Sequence, residues 1–235
     1  MRCCSMSAWL SIMNELQINV ETIVGVADTL FESQGYDSVT LATIAETAEM
    51  PLEIVTSAYE SKVAIALAVY HRLAKQSLQE SENLSYESFA ERYYQLIEYN
   101  LTLLNIHQEA VSALFAAAMR PNSCVVPADI SQGKHDPTMQ AMALVVDGAT
   151  DKPTKDSDEL ALVLYAFHFL VVIFWLYDRT EDKQASHVFT QFLREFFKLM
   201  RPMMMMPLVK KALNKMAKIV LLVFGGAKLV DTTTA

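Results

Sequence analysis

The side chains able to carry covalent or metal chemistry in this chain are three cysteines, five histidines and a few paired acids, and none is spaced for it. Cys3 and Cys4 are adjacent and Cys124 stands alone in a proline-containing stretch. No Cys-x-x-Cys or Cys/His spacing points to a metal or a disulfide framework. The histidines are scattered, and there is no Gly-x-Ser-x-Gly elbow, phosphate-cradling glycine loop or His-Glu-x-x-His pair. The paired acids Asp156/Asp158 and Glu181/Asp182 fall in charged loops. The expectation is a protein without catalytic activity, cofactor or metal, in a reducing cytoplasm. The first residues carry one charge, Arg2, and no continuous apolar core, so they are not read as a signal peptide.

The remaining chemistry is non-covalent, and it centres on Gly35 to Lys62. Ile44, Ala45 and Ala48 sit at i, i+1 and i+4, the buried stripe of a short helix that the Thr40 hydroxyl can cap. Ile54, Val55, Ala58 and Tyr59 repeat that stripe in a second short helix. Small alanines where two such helices meet allow close backbone approach. The spacing is that of a helix-turn-helix, residues 40 to 59.

On these residues the stretch 17 to 76 resembles the N-terminal domain of the TetR family of bacterial transcriptional regulators. It matches that pattern at Gly35, Tyr36, Thr40, Ile44, Ala45, Ala48, Tyr59 in place of Phe, Ser61 and Lys62. It departs at Glu49, where the family has the turn glycine, at Glu53 and Thr56 in the recognition helix, and at Ala58 in place of histidine. The resemblance implies phosphate contacts from Thr40, Thr56, Ser57 and Lys62. It also implies a base-facing start of the second helix at Pro51, Leu52, Glu53 and Ile54, with Tyr59 at its end. A homodimeric, ligand-responsive DNA-binding regulator acting as a repressor on a palindromic operator is what the family relationship would mean.

Charge argues the other way. Residues 1 to 75 hold four basic side chains (Arg2, Lys62, Arg72, Lys75) against nine acidic ones, a net charge of −5, and the basic arm usual before the first helix is missing. Affinity for DNA rests largely on neutralised phosphates. The second reading is therefore a scaffold of the same type that has lost DNA affinity and binds an apolar ligand or a membrane surface.

The rest of the chain is patterned as helices, with no strand alternation, and the expected class is all-α. Helices are expected over about 18–33, 62–79, 86–104, 107–119, 137–146, 160–177 and 182–200, with loops over 120–134 and 148–157. The domain division expected is 1–80 for the helix-turn-helix head, 81–206 for a ligand-binding and dimerisation domain, and 207–235 for a basic tail. Leu160 to Tyr177 holds eighteen residues without a formal charge, at the threshold for a membrane span. His168 in its middle and mixed-charge flanks favour burial in protein, and the resemblance explains the apolarity by pairing of the last two helices in a C2 dimer.

The resemblance also implies a ligand cavity for a small apolar or aromatic effector. Candidate lining residues are Tyr94, Tyr99, His107, Met119, Met142, Tyr165, His168 and Trp175, each of which equally suits ordinary core packing. Finally, Arg201 to Val230 carries six basic residues and no acid, whereas the first 200 residues carry 13 basic and 26 acidic. Within it, Val209, Ala212, Leu213, Met216, Ile219, Val220 and Val223 share one face and lysines the other, a basic amphipathic helix. It either packs on the domain or makes a peripheral contact with anionic lipid.

Overall fold

Gly35 sets the first boundary of the fold. Its φ of +83° is left-handed backbone that only glycine adopts without strain, and its N–H closes the first helix on the Phe31 carbonyl at 2.9 Å. The computed structural model describes residues 6–120, 136–153, 157–206, 211–212 and 214–219. Among these there is no strand, and the helices are α1 (Met6–Gln34), α2 (Leu41–Thr47), α3 (Leu52–Ala58), α4 (Lys62–Glu82), α5 (Phe89–Ile106), α6 (Gln108–Ala118), α7 (Pro137–Asp147), α8 (Ser157–Tyr177) and α9 (Gln184–Met200). The protein is all-α. The first helix begins about twelve residues earlier than its apolar pattern suggests, and the other boundaries shift by three residues or fewer. The loop expected over 120–134 and most of the basic tail lie outside the described residues.

The chain forms two compact units, Met1–Arg72 with Leu104–Pro127, and Leu73–Leu103 with Ala128–Ala235. In the first, Ile23, Ala27 and Phe31 of α1, Ile44 and Ala45 of α2, Val55 of α3, Ile65 and Val69 of α4 and Ala110 of α6 form one core, each at most 3% exposed. Ile54 and Ala58 are exposed, contrary to the stripe read from the sequence. A helix of seven residues turns only one side inward, and Val55 takes it.

α6 is fixed to this unit by polar contacts as well. Glu32 of α1 accepts from the backbone N–H groups of Glu109 and Ala110 at 2.8 and 3.4 Å, satisfying donors that a helix start leaves free. Burial raises the Glu32 pKa, and those two hydrogen bonds pull against the rise. The Glu109 carboxylate in turn accepts from the N–H of Tyr36 at 3.0 Å.

In the second unit α7 packs along α8. Asp136 caps α7 by accepting from the N–H of Met139 at 2.9 Å. At its other end the buried Arg92 of α5 donates to the carbonyls of Leu144 and Val145 at 2.9 and 3.0 Å, and to those of Leu84 and Ser85 at 3.0 and 2.7 Å. Those α7 carbonyls are the unpaired, partially negative end of a helix, which offsets the burial of a guanidinium without a carboxylate. A Cβ at Gly148 would meet this guanidinium, so a side chain there must push the Arg92 tip aside.

α8 is the one described helix long and apolar enough to cross a membrane, and 61% of its most apolar window is buried within the fold. Leu170, Phe174 and Tyr177 are left exposed along its other side. The turn into α9 is organised by Asp178, whose carboxylate accepts from the N–H and hydroxyl of Thr180 and from the N–H and hydroxyl of Ser186 at 2.6 to 2.9 Å. Burial alone would raise the Asp178 pKa, but the four donors outweigh it and hold the carboxyl far below its ordinary range. Asp182 and Lys183 both take left-handed backbone here, with φ of 51° and 55°.

Candidate functional site

Thr40 begins α2 as expected: its hydroxyl oxygen accepts from the N–H of Thr43 at 3.1 Å. After Ala48 the chain turns through Glu49, whose φ of +54° is the left-handed conformation that a glycine would adopt freely. Pro51 then starts α3, and Pro51, Leu52, Glu53 and Ile54 are all exposed, with Leu52 at 42% and Ile54 at 37%. The first turn of α3 is thus open to a partner, and its one charge is negative.

The hydroxyls on this face are already used. Thr56 donates to Leu52 O at 3.1 Å and Ser57 to Ile54 O at 2.8 Å, so each hydroxyl must rotate away from its own helix before it can donate to a phosphate. Tyr59 is half-buried, and burial pushes its phenol pKa up. Lys62 folds back over the α1–α2 turn: its ammonium donates to Tyr36 O at 2.8 Å and Asp37 O at 3.4 Å and lies 4.5 Å from the centre of the Tyr36 ring. One ammonium hydrogen remains for an anion.

Arg72 is similarly engaged. It pairs with Asp28 of α1, and the same carboxylate oxygen lies 2.8 Å from Nδ1 of His107. His107 therefore belongs to the first unit, where it is the N-cap residue of α6, and Met119, 48% exposed, ends that helix. Neither is grouped with the other proposed ligand contacts.

Those other contacts fall in the second unit. Met142, Tyr165 and Trp175 are fully buried, and His168 is buried on the same side of α8 as Tyr165 and Trp175. Desolvation lowers the His168 pKa to about 4, so its imidazole is neutral at ordinary pH. Tyr94 and Tyr99 are half-buried on α5, and the Arg194 guanidinium stands 5.0 Å from the Tyr94 ring centre. Arg194 also makes a two-pronged ion pair with Glu91 at 2.6 and 2.8 Å, and that pairing lowers the Glu91 pKa. Two polar residues of the interior, Tyr93 and Asn100, escaped the sequence reading. Their seven-residue spacing on α5 was the available signal. Among the described residues no group of three or more His, Cys, Asp or Glu side chains is arranged to hold a metal.

No protein-family model matches the chain. No curated protein matches it either. Among solved structures it is similar to a TetR-family transcriptional regulator from Streptomyces coelicolor, with a TM-score of 0.56 and 17% identity over 88% of this chain and 89% of that one. It is also similar to a protein of unknown function from Rhodococcus sp. RHA1, with a TM-score of 0.49 and 15% identity over 75% of this chain and 94% of that one. The first likeness establishes the fold: this chain is folded as a TetR-type regulator is.

Proposed function

We propose that the protein is a DNA-binding transcriptional regulator that works as a homodimer, represses from a palindromic operator and releases it when a small effector binds the second unit. The observation that carries this reading is the capped α2, tight turn and exposed first turn of α3, on a fold shared with a regulator. In it Thr40, Thr56, Ser57 and Lys62 touch phosphates, Pro51 to Ile54 face bases, and Tyr59 supports the end of the recognition helix. The effector occupies the interior lined by residues of α5, α7 and α8.

Dimerisation is supported by the outer faces of α8 and α9. Val188, Phe192 and Leu199 are 64, 59 and 71% exposed, and the rings of Phe174, Phe189, Phe192 and Phe196 stack in series at 4.7, 6.4 and 6.0 Å. An apolar surface running across α8 and α9, with Phe174 and Phe192 exposed, is what a twofold partner covers.

A second reading is favoured by one specific observation: Lys62 and Arg72 are both bound within the head. On that reading the same scaffold binds an apolar ligand without DNA. The deciding measurement is a salt titration, starting near 50 mM where electrostatic binding is strong, of a palindrome from upstream of the gene against random duplex. Regulation predicts a preference for the palindrome with a shallow salt slope. Equal binding to both sequences, or to neither, transfers the assignment to the ligand-binding scaffold.

A further inference from the structure

The second unit buries polar atoms that no group among the described residues satisfies. The Tyr93 hydroxyl, the Asn100 side-chain oxygen and nitrogen, Nδ1 of His168 and the Ser77 hydroxyl are all without a hydrogen-bond partner. Their residues are 1, 6, 6 and 4% exposed. Each such orphan costs about 1–3 kcal/mol, and buried amides and hydroxyls are ordinarily paired. Asn100 is the extreme case, since its amide offers two donors and an acceptor oxygen and uses none.

Two of these groups share one helix face. Tyr93 and Asn100, seven residues apart, lie on the same face of α5 as the buried Ile97. His168 lies on the buried face of α8 with Val172 and Trp175. Phe197 of α9 lies 5.4 Å from the Tyr93 ring and 5.2 Å from that of Phe167 on α8. The buried charges of this unit among the described residues are already matched, Arg92 by four carbonyls and Asp178 by Thr180 and Ser186. The interior therefore offers hydrogen bonds but no free charge.

We propose that this interior takes an uncharged, largely apolar molecule bearing a hydroxyl or carbonyl oxygen, with Asn100 as its principal hydrogen-bond partner and Tyr93 on the same face of α5. The proposal rests on the effector-binding reading above and narrows it, because a purely apolar effector would leave every one of these orphans unpaired. A carboxylate or an ammonium would enter without a counter-charge, at a cost that a neutral oxygen avoids.

The test is calorimetric titration of the full-length protein with three probes of one ring system: 2-naphthol, naphthalene and 2-naphthoate. 2-Naphthol is expected to bind about tenfold more tightly than naphthalene, the equivalent of one net hydrogen bond, and more tightly still than the anion. Asn100→Leu is expected to erase the preference for 2-naphthol while leaving naphthalene binding unchanged and the melting temperature undiminished. Should that variant fail to fold, Tyr93→Phe, which removes a single oxygen, is expected to cut the preference by a smaller factor. If naphthalene or 2-naphthoate binds as well as 2-naphthol, the inference is overturned and the effector reading stands. If no probe binds, both fall. An Asn100→Leu protein that retains the full preference overturns the assignment to Asn100 and leaves internal water as its partner.

Discussion

The two units of this protein handle polarity in opposite ways. In the head, several charges are committed: Asp28 holds Arg72 and His107, Glu32 caps α6, and Lys62 closes the α1–α2 turn. In the second unit the buried charges are also matched, but neutral polar groups lie in the interior without partners. The contrast teaches that a fold can keep the shape of a DNA reader while its cations serve the scaffold. The chemistry left unsatisfied elsewhere says more about what the protein binds.

The largest expected effect concerns the outer surface of the second unit. Phe192→Asp replaces a 59% exposed ring in the aromatic ladder. Each protomer would lose about 1.5–3 kcal/mol of apolar burial, and because a twofold interface repeats the change, dimer dissociation should rise at least about a hundredfold. Light scattering at micromolar concentration checks this, and a well-folded wild-type monomer in that experiment removes the dimer from the proposal.

Next in size is Gly148→Ala. The new Cβ would displace the Arg92 guanidinium from its four carbonyls, stranding a buried cation. Breaking a buried charge network costs about 3–5 kcal/mol, read as a lower urea midpoint at unchanged slope. Since Arg92 belongs to the second unit, a mild effect would show that this unit accommodates a displaced guanidinium as it does unpaired amides.

Acid should act through the second unit as well. Folded His168 stays neutral down to about pH 4, whereas an unfolded imidazole protonates near pH 6.5. Between those values the unfolded chain binds the extra proton, so stability falls as pH is lowered through that window. At pH 5 the loss is about 2 kcal/mol relative to pH 8, or roughly 4–8 °C in a chain of this size. His168→Phe should flatten the dependence over this range, and an unchanged profile would mean that the histidine titrates freely.

The reading from sequence was strongest where one helix carried its own signal. Thr40, Gly35 and the Ile44/Ala45 stripe identified the helix-turn-helix because capping, left-handed backbone and i, i+1, i+4 spacing are local properties. The burial of Met142, Tyr165, His168 and Trp175 was legible for the same reason, since α7 and α8 carry continuous apolar faces. What a linear pattern does not express is which unit a helix packs into. α6 sits on α1 through Glu32, a contact across 77 residues, and so His107 lies beside Asp28. Nor does residue type reveal that a lysine is already partly engaged. Lys62 is a phosphate ligand by position, yet Tyr36 and Asp37 hold it.

The smallest effect expected bears on the head's shape without its chemistry. Glu49 carries a φ of +54° where a glycine would be unstrained, and left-handed backbone costs a residue with a Cβ about 1–2 kcal/mol. Glycine, however, loses more conformational freedom on folding, by about 0.5–1 kcal/mol, so Glu49→Gly should stabilise the protein by a net of about 0.5–1 kcal/mol. The side chain is exposed and makes no part of the core, so no packing is lost. The substitution also removes one negative charge from the turn between α2 and α3, which should tighten palindrome binding modestly and most visibly at low salt. Melting and salt titration of the same variant separate the two consequences. A gain in stability with no change in DNA affinity at any salt would mean that the head's acidity does not govern DNA affinity, and that the strained turn is only a scaffold feature. A loss of stability would show that Glu49 contributes a contact beyond its backbone conformation.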